Sequence, residues 1–229
     1  MRGEIPPEVY NLLEKAGYTH TPAQSAKLLA DDKKAMYEFF AKNGFCCPKT
    51  LCGSRTTFRY EYLCSELGTP FIAKPRFGSL GRGIVLVDFE KVLQSLPDGD
   101  WIFQTFIDTA CGTDNPRDIR IFAAGGRVLA AVERTGVKGG IVSNVHQGGE
   151  CAKKEVPESV TKTALSVIEK AGLWYGTADF LYDGSTYWLC EINASPGFEG
   201  VEKLGFNIAG AIIQNCLLLL NTFNNSNAG

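Results

Sequence analysis

A glycine-rich segment with basic residues near both ends is the first candidate for chemistry. It reads Lys74-Pro75-Arg76-Phe77-Gly78-Ser79-Leu80-Gly81-Arg82-Gly83. Its three glycines leave backbone N–H groups free to approach an anion closely, and Lys74 and Arg82 add the positive charge that a triphosphate needs. The segment is not a P-loop, because the Gly-Lys-Ser/Thr ending is missing. A glycine-rich hairpin loop with solvated charges is an equally good interpretation of this segment alone.

Oxygen-bearing side chains late in the chain form the second candidate. Glu191 and Asn193 are two residues apart, so they share one face of a strand. Asp179 lies opposite Glu191 on that face if the turn between their strands has three or five residues. Facing carboxylates repel each other unless a cation lies between them, and Mg²⁺ prefers such oxygen ligands together with substrate phosphates. These residues predict a magnesium site. The alternative is an exposed sheet face on which both carboxylates meet solvent.

Hydrophobic periodicity and turn residues predict the elements that carry the first candidate. The predicted strands cover residues 71–74, 84–87 and 101–106. The predicted helices cover residues 32–43, 57–67 and about 89–96. The glycine-rich segment connects the first two strands, which differs from the strand–loop–helix order of a dinucleotide-binding fingerprint. The region up to about residue 107 is therefore a mixed α/β unit.

Turn and capping residues predict the elements around the second candidate. Two strands between residues 119 and 132 flank Gly125-Gly126, and a helix has Pro157 in its first turn and Gly172 just past its end. A second hairpin has strands at 177–181 and 187–192. A last helix covers 207–220 with Asn207 as its cap, and a frayed polar tail follows at 224–229.

The composition limits the classes of protein to which this chain can belong. With 229 residues, 45% of them hydrophobic and 21% charged, it is typical of a globular protein. The net charge of −2 argues against nucleic acid as a main partner, and no apolar run reaches the roughly 20 residues of a membrane-spanning helix. The N-terminus lacks the pattern of a secretory signal, and the eight cysteines contain no CxxC pair. We therefore expect a cytoplasmic protein with reduced cysteines and no nucleic-acid or membrane partner.

The segment that begins at Glu191 is unusual for a strand end. It reads Glu191-Ile192-Asn193-Ala194-Ser195-Pro196-Gly197-Phe198-Glu199-Gly200-Val201-Glu202, and it closely resembles the motif of ATP-grasp ligases of the RimK type. Further segments similar to that family occur in the family's order over about residues 30–215. They are Asp32-Lys33, Lys74 with the glycine-rich segment, Gln104 with Phe106-Ile107, Arg117-Asp118-Ile119-Arg120, Arg134, Ser143-Asn144-Val145-His146-Gln147-Gly148-Gly149, and Gly176 with Asp179.

This resemblance implies an α+β protein with the ATP-grasp fold, in which ATP lies between two α+β lobes and the C-terminal sheet is rich in antiparallel strands. The first lobe would cover residues 32–107, with the loop at 74–83 as a phosphate lid. The second lobe would cover residues 108–223 and hold the metal site. Relatives generally carry a separate N-terminal domain, of which residues 1–31 would be a remnant. Either the chain is a fragment, or a partner chain or dimer mate completes the acceptor site, or a compact acceptor binds differently.

The resemblance also implies an activity. It predicts an ATP- and Mg²⁺-dependent ligase that joins an amino acid to a carboxylate, on a peptide or a small acid, through an acyl phosphate. One alternative is a nucleotide-binding subunit that needs a partner chain for catalysis. Another is a kinase built on the same scaffold, which would leave a stable phosphorylated product. The sequence identifies neither the acceptor, nor the amino acid added, nor the oligomeric state.

The roles implied for individual residues follow the family's motifs. Thr105 stands where relatives usually carry an acidic residue, but adenine is read there chiefly through the backbone. His146 lies in a family motif, where a structural and a catalytic role fit equally well. The implied ATP-binding residues are Lys33 and Lys74 at the α- and β-phosphates, Gly78, Ser79, Gly81 and Gly83 in the lid, Gln104, Thr105, Phe106 and Ile107 at the adenine, Asp118 at the ribose, and Asn144 nearby. The implied catalytic residues are Arg120 and Arg134, and the implied ligands of two Mg²⁺ ions, or of Mn²⁺, are Asp179, Glu191 and Asn193.

Overall fold

Two antiparallel β-sheets and the helices packed on them form the framework of the protein. The structure, a computed structural model, describes residues 6–17, 21–79, 81–141, 143 and 149–226. The smaller sheet contains β1 (Thr50–Ser54), β2 (Phe71–Pro75), β3 (Val85–Val87) and β4 (Asp100–Thr105), in the spatial order β1-β4-β2-β3. The larger sheet contains β5 (Arg117–Ala124), β6 (Arg127–Thr135), β7 (Glu150–Lys153), β8 (Tyr175–Tyr182) and β9 (Tyr187–Asn193), in the order β7-β6-β5-β8-β9. The predicted α+β class is confirmed.

The helices begin and end at residues with clear local causes. They are α1 (Pro7–Lys15), α2 (Gln24–Asp31), α3 (Lys33–Lys42), α4 (Tyr60–Leu67), α5 (Glu90–Ser95), α6 (Glu158–Lys170), α7 (Glu199–Glu202) and α8 (Ile208–Ser226). The sequence predicts either Asp31 or Asp32 as the cap of α3, and the structure shows Asp32, which accepts hydrogen bonds from the backbone N–H groups of Lys34 and Ala35. Pro157 is the cap residue of α6 rather than part of its first turn.

Three hydrophobic clusters hold the elements together. One lies under the smaller sheet and joins it to α4, with Leu63 and Phe103 fully buried. Another lies on one face of the larger sheet, between that sheet and α6, and a third covers the opposite face beside α7 and α8. Because β5 is buried on both faces, Ile121 and Phe122 enter different clusters. Each such side chain stabilises the fold by roughly 1.5–3 kcal/mol relative to an exposed one.

Helices α2 and α3 pack against β9, although they precede the smaller sheet in the chain. Ala26, Met36 and Phe40 belong to the same hydrophobic cluster as Ile192 of β9. The backbone N–H of Leu189 also donates to the carbonyl oxygen of Cys46, just after α3, over 2.7 Å. Helix α3 is therefore attached to the sheet that carries Glu191. The lobe boundary at residue 32 stays a prediction.

The structure corrects several predicted boundaries. The second predicted helix begins at Tyr60 rather than residue 57, and α8 continues to Ser226, so residues 224–226 of the predicted frayed tail are helical. Strands β1 and β7 and helices α1, α2 and α7 were not predicted. β1 has no fully buried residue and β7 is mostly exposed, so neither shows the alternation that marks a strand. Within the described ranges, no helix has both the length and the apolar character to cross a lipid bilayer.

Candidate active site

A cavity of about 620 Å³ is lined by residues of both sheets and gathers most of the predicted site residues. Lys33 of α3 lines the cavity together with residues of the smaller sheet and its loops, which are Lys74, Gly78, Ser79, Gly81, Gln104, Thr105, Phe106 and Ile107. On the side of the larger sheet, it includes Asp118, Arg120, Arg134, Asp179, Glu191 and Asn193. Gly83 does not line the cavity, and Asn144 and His146 lie outside the described residues.

Lys74 projects from β2 and is only 6% exposed. Its Nζ donates hydrogen bonds to Tyr37 Oη over 2.8 Å and to Gln104 Oε1 over 2.9 Å. Tyr37 in turn donates to the carbonyl oxygen of Cys190 over 2.5 Å. An ammonium group has three N–H donors, and both of these partners are neutral. Lys74 therefore keeps one donor and an uncompensated positive charge for an anion in the cavity.

Lys33 is the first residue of α3, which places its side chain beside the glycine-rich segment. Its Nζ donates to the carbonyl oxygen of Gly78 over 2.6 Å. Burial lowers the pKa of Lys33, and the negative charge of Glu191 partly opposes that shift. An anion bound next to Lys33 would restore the stabilisation that its ammonium loses on leaving water.

Asp179 and Glu191 face each other across the β8–β9 hairpin, as predicted, but for a different reason. The turn holds four residues, 183–186, which alone would place Asp179 opposite Cys190. A β-bulge at Cys190 adds one residue to β9 and restores the facing position. The predicted condition of a three- or five-residue turn is wrong. The carboxylates share a face because of the bulge.

Two arginines compensate the buried carboxylates of the larger sheet. Arg120 donates to both oxygens of Asp179 over 2.8 and 2.5 Å, and Arg134 donates to both oxygens of Asp118 over 2.6 Å each. Arg134 also donates to Asp179 over 2.9 Å, and Ser143 donates to Asp118. Burial alone would raise the pKa of Asp179, but the two arginines lower it; the pKa of Asp118 remains raised by its burial. Because Asp118 already bonds Arg134, its contact with a ribose stays a prediction.

Glu191 differs from its neighbours because none of the described cations comes within ion-pair distance of its carboxylate. Within the part of the chain that the structure describes, its carboxylate makes neither a hydrogen bond nor an ion pair. Burial raises the pKa of Glu191, and the negative charge of Asp179 raises it further. A divalent cation between Glu191, Asp179 and Asn193 would remove both penalties, so these residues fit magnesium. The described residues contain no group of three His, Cys, Asp or Glu side chains suited to a metal. The site proposed here has two carboxylates, and its third oxygen ligand is the amide of Asn193.

The four predicted adenine-binding residues differ in how far their backbone groups are already hydrogen-bonded in the sheet. Gln104 and Thr105 lie within β4, where Gln104 pairs with β1 and β2 and the N–H of Thr105 donates to Lys49. The side chain of Gln104 is also occupied, by Lys74 and by Thr50. Phe106 and Ile107 follow the end of the strand and line the cavity. The backbone of these last two residues is therefore better placed to meet a base edge.

The glycines of the lid segment have two different roles. Gly78 and Gly81 line the cavity with φ of +135° and +69°, a region that other residues rarely adopt. Gly83 instead packs against the loop itself, because a Cβ there would lie 2.9 Å from Pro75. Leu80 lies outside the described residues.

Sequence reasoning missed two residues that support this site. Tyr37 lies four residues after Lys33, so helical spacing was a usable signal that α3 places both on one side, where Tyr37 accepts a hydrogen bond from Lys74. Cys190, the bulge residue of β9, also lines the cavity, and the bulge has no signal in the sequence.

Comparison with known proteins agrees with this geometry. Residues 30–216 match the model of the RimK-like ATP-grasp domain. A protein of Parasynechococcus marenigrum (strain WH8102) described as a probable alpha-L-glutamate ligase is 32% identical over 190 residues, which cover 80% of this chain and 40% of that protein. A protein of Cellvibrio japonicus (strain Ueda107) with the same description is 31% identical over 189 residues, covering 80% of this chain and 62% of that protein. The chain thus spans 40–62% of the length of these relatives.

Solved structures share the fold. The D-alanine–D-alanine ligase from Bacillus anthracis complexed with ATP superposes with a TM-score of 0.72 at 17% identity, over 92% of this chain and 74% of that one. The ATP-grasp ligase PsnB complexed with a minimal precursor gives 0.68 at 20% identity, over 90% of this chain and 68% of that one. Since the family model covers most of the chain and the architecture agrees, this protein belongs to the RimK-like ATP-grasp family.

Proposed function

We propose that the protein is an ATP- and Mg²⁺-dependent ligase that joins an amino acid to a carboxylate. One observation carries the proposal: the lysines of α3 and β2 line the same cavity as the carboxylates of β5, β8 and β9, and Lys74, Asp118 and Asp179 are buried there. Lys33 and Lys74 would hold the α- and β-phosphates of ATP. The backbone of Phe106 and Ile107 would meet the adenine, with Asp118 at the ribose and Asn144 nearby.

The proposed reaction has two steps. An oxygen of the acceptor carboxylate attacks the γ-phosphorus of ATP, and ADP leaves with the electron pair of the broken bond. The amine then attacks the carbonyl carbon of the acyl phosphate, phosphate leaves, and the nitrogen loses a proton as the amide forms. Both steps need positioning and charge neutralisation more than covalent help from the protein. Arg120 and Arg134 supply fixed N–H donors where that charge develops.

Asp179, Glu191 and Asn193 would hold the magnesium, as two ions that Mn²⁺ can replace. Bound there, the metal would neutralise charge on the phosphate oxygens. The fit rests on the unpaired carboxylate of Glu191 facing Asp179.

The names of similar proteins support a class of substrates. Relatives described as probable alpha-L-glutamate ligases favour glutamate as the amino acid. PsnB was solved with a precursor peptide, and D-alanine–D-alanine ligase is named for a small amino acid. We therefore propose an acceptor carboxylate on a peptide or on a small acid.

Phosphate release measured with ATP, Mg²⁺, glutamate and a panel of peptides and small acids tests this function. We expect release that requires both the acid and the amine, with an amide product detected by mass spectrometry. ATP binding without acid-dependent release would favour a nucleotide-binding subunit that works with a partner chain. A stable phosphorylated acid without amide would favour a kinase.

A further inference from the structure

One guanidinium group ties the base of the glycine-rich segment to two other elements. Arg76 Nε and Nη2 donate to the two carboxylate oxygens of Asp32 over 2.8 and 2.6 Å. Its Nη1 donates to Asp100 Oδ2 over 3.1 Å. Asp32 caps α3 and Asp100 begins β4, so the Asp32–Arg76–Asp100 clamp bridges a helix, a loop and a strand.

Backbone hydrogen bonds reinforce the same contact. The N–H of Arg76 donates to the carbonyl oxygen of Asp100 over 3.0 Å, and its own carbonyl accepts from the N–H of Lys33 over 3.2 Å. The Nζ of Lys33 also reaches the carbonyl of Gly78. The start of the glycine-rich segment is therefore held directly against the N-terminus of α3. Since α3 packs on β9, this contact links the segment to the sheet that carries the candidate metal ligands.

The position of the clamp suggests a purpose beyond stability. Ion pairs that water reaches contribute little to folding, whereas a bidentate arginine–carboxylate pair fixes geometry in two directions. The clamp joins residues next to both lysines of the cavity: Asp32 precedes Lys33, and Arg76 lies two residues after Lys74. Holding Asp32 and Arg76 together therefore sets the distance between the two ammonium groups.

We propose that Arg76 is a positioning residue of the phosphate site, acting through Lys33 and the start of the glycine-rich segment without touching the nucleotide. The inference rests on the proposed function, in which this cavity binds ATP. Arg76 itself does not line the cavity. Its loss should weaken contacts to the phosphates and leave contacts to the base unchanged.

Binding of ATP and of adenosine to the full 229-residue chain separates these contacts. For Arg76→Met, we expect the affinity for Mg²⁺–ATP to fall about tenfold, because displaced groups hold the phosphates poorly, while the affinity for adenosine stays within about twofold. Arg76→Lys keeps the charge but cannot bond both oxygens of Asp32, so it should recover only part of the loss. The two dissociation constants are measured by isothermal titration calorimetry.

Two further variants control for folding. Arg55→Met removes a similar arginine, paired with Asp98 in the same part of the chain but outside the cavity, and should change neither affinity. Asp32→Asn removes the charge that Arg76 binds, while asparagine still caps α3, so it should reproduce the selective loss of ATP affinity.

The outcomes of this experiment distinguish the two proposals. If the unchanged protein binds no ATP, the proposed function fails and this inference fails with it. If the unchanged protein binds ATP and Arg76→Met and Asp32→Asn bind it equally well, only the role of Arg76 is overturned. Equal losses for ATP and adenosine would overturn that role as well, because they would indicate a general disturbance of the fold.

Discussion

The two walls of the cavity carry similar positive charge but compensate it differently. On the lysine wall, Lys74 bonds a phenol and an amide and Lys33 bonds a carbonyl, all of them neutral groups. On the arginine wall, Arg120 and Arg134 use Nε and Nη2 to bond the buried carboxylates Asp179 and Asp118. The lysine wall therefore presents free positive charge to an anion. The arginine wall is close to neutral and rigid.

This difference assigns different tasks to the two walls. Burying an ammonium without a counter-ion costs free energy, and a bound phosphate would return it. A buried bidentate ion pair adds little net stability, but it fixes the positions of both side chains. Removing one partner destabilises the protein, because the other charge is then buried without compensation. The lysine wall is thus suited to binding an anion, whereas the arginine wall holds Asp179 in position. Glu191 lies on β9 opposite Asp179, and no cation among the described residues forms an ion pair with it.

The largest expected effect comes from the unpaired carboxylate. Glu191→Gln keeps the size of the side chain but removes its charge, so it should lower acid-dependent phosphate release about 1,000-fold, as losing one such electrostatic group does elsewhere. The thermal midpoint should not fall, since no ion pair is broken. Glu155→Gln, an exposed change beyond β7, is the control and should leave release unchanged. Normal turnover by Glu191→Gln would remove the metal site from this hairpin.

A substitution on the arginine wall should lower the free energy of unfolding. Arg134→Met leaves Asp118 buried without its main partner, and breaking such a pair typically costs about 3–5 kcal/mol. Urea unfolding followed by circular dichroism measures this change. Lys138→Met, which breaks the exposed pair with Asp114, should leave the free energy of unfolding nearly unchanged. If both variants unfold alike, the buried network does not stabilise the larger sheet.

A substitution on the lysine wall should lower the affinity for ATP. Lys74→Met removes a donor to phosphate, and hydrogen bonds to charged groups contribute about 1.5–3 kcal/mol, so the affinity for ATP should fall about 30-fold. The free energy of unfolding should stay close to that of the unchanged protein, because the partners of Lys74 are neutral. Lys91→Met on α5 is an exposed control in the same lobe. Unchanged affinity for ATP would contradict the contrast between the two walls.

Local patterns predicted the parts of this fold that depend on near neighbours. The cap at Asp32, the strands around the glycine-rich segment and the β8–β9 hairpin follow from turn residues and periodicity within a few positions. The ATP-grasp class and the set of cavity-lining residues came from motifs in a recognisable order. In each case the signal lies in the chain segment that forms the feature.

Contacts between distant residues were not predictable in this way. Arg76 and Asp32 are 44 positions apart, and Tyr37 and Cys190 are 153 positions apart, so no local spacing reveals either contact. The pairing of Arg120 with Asp179 depends on the register of β5 with β8. The bulge at Cys190 shifts one strand by one residue, and periodicity alone does not show such an insertion. Local sequence patterns therefore do not reveal which charged side chains pair with each other.

The smallest expected effect is a pH dependence that separates Glu191 from Asp179. Because burial and Asp179 raise the pKa of Glu191 in the folded protein, the native state binds its proton more tightly than the unfolded state. This contribution makes the metal-free protein lose stability as pH rises through the titration of Glu191. Glu191→Gln lacks that loss, so it should be more stable than the unchanged protein at pH 7 and lose this advantage below about pH 4, where glutamate is protonated in both states. Thermal midpoints measured from about pH 3 to about pH 8 without metal test this. A constant difference between the two proteins would show that burial and Asp179 do not raise the pKa of Glu191.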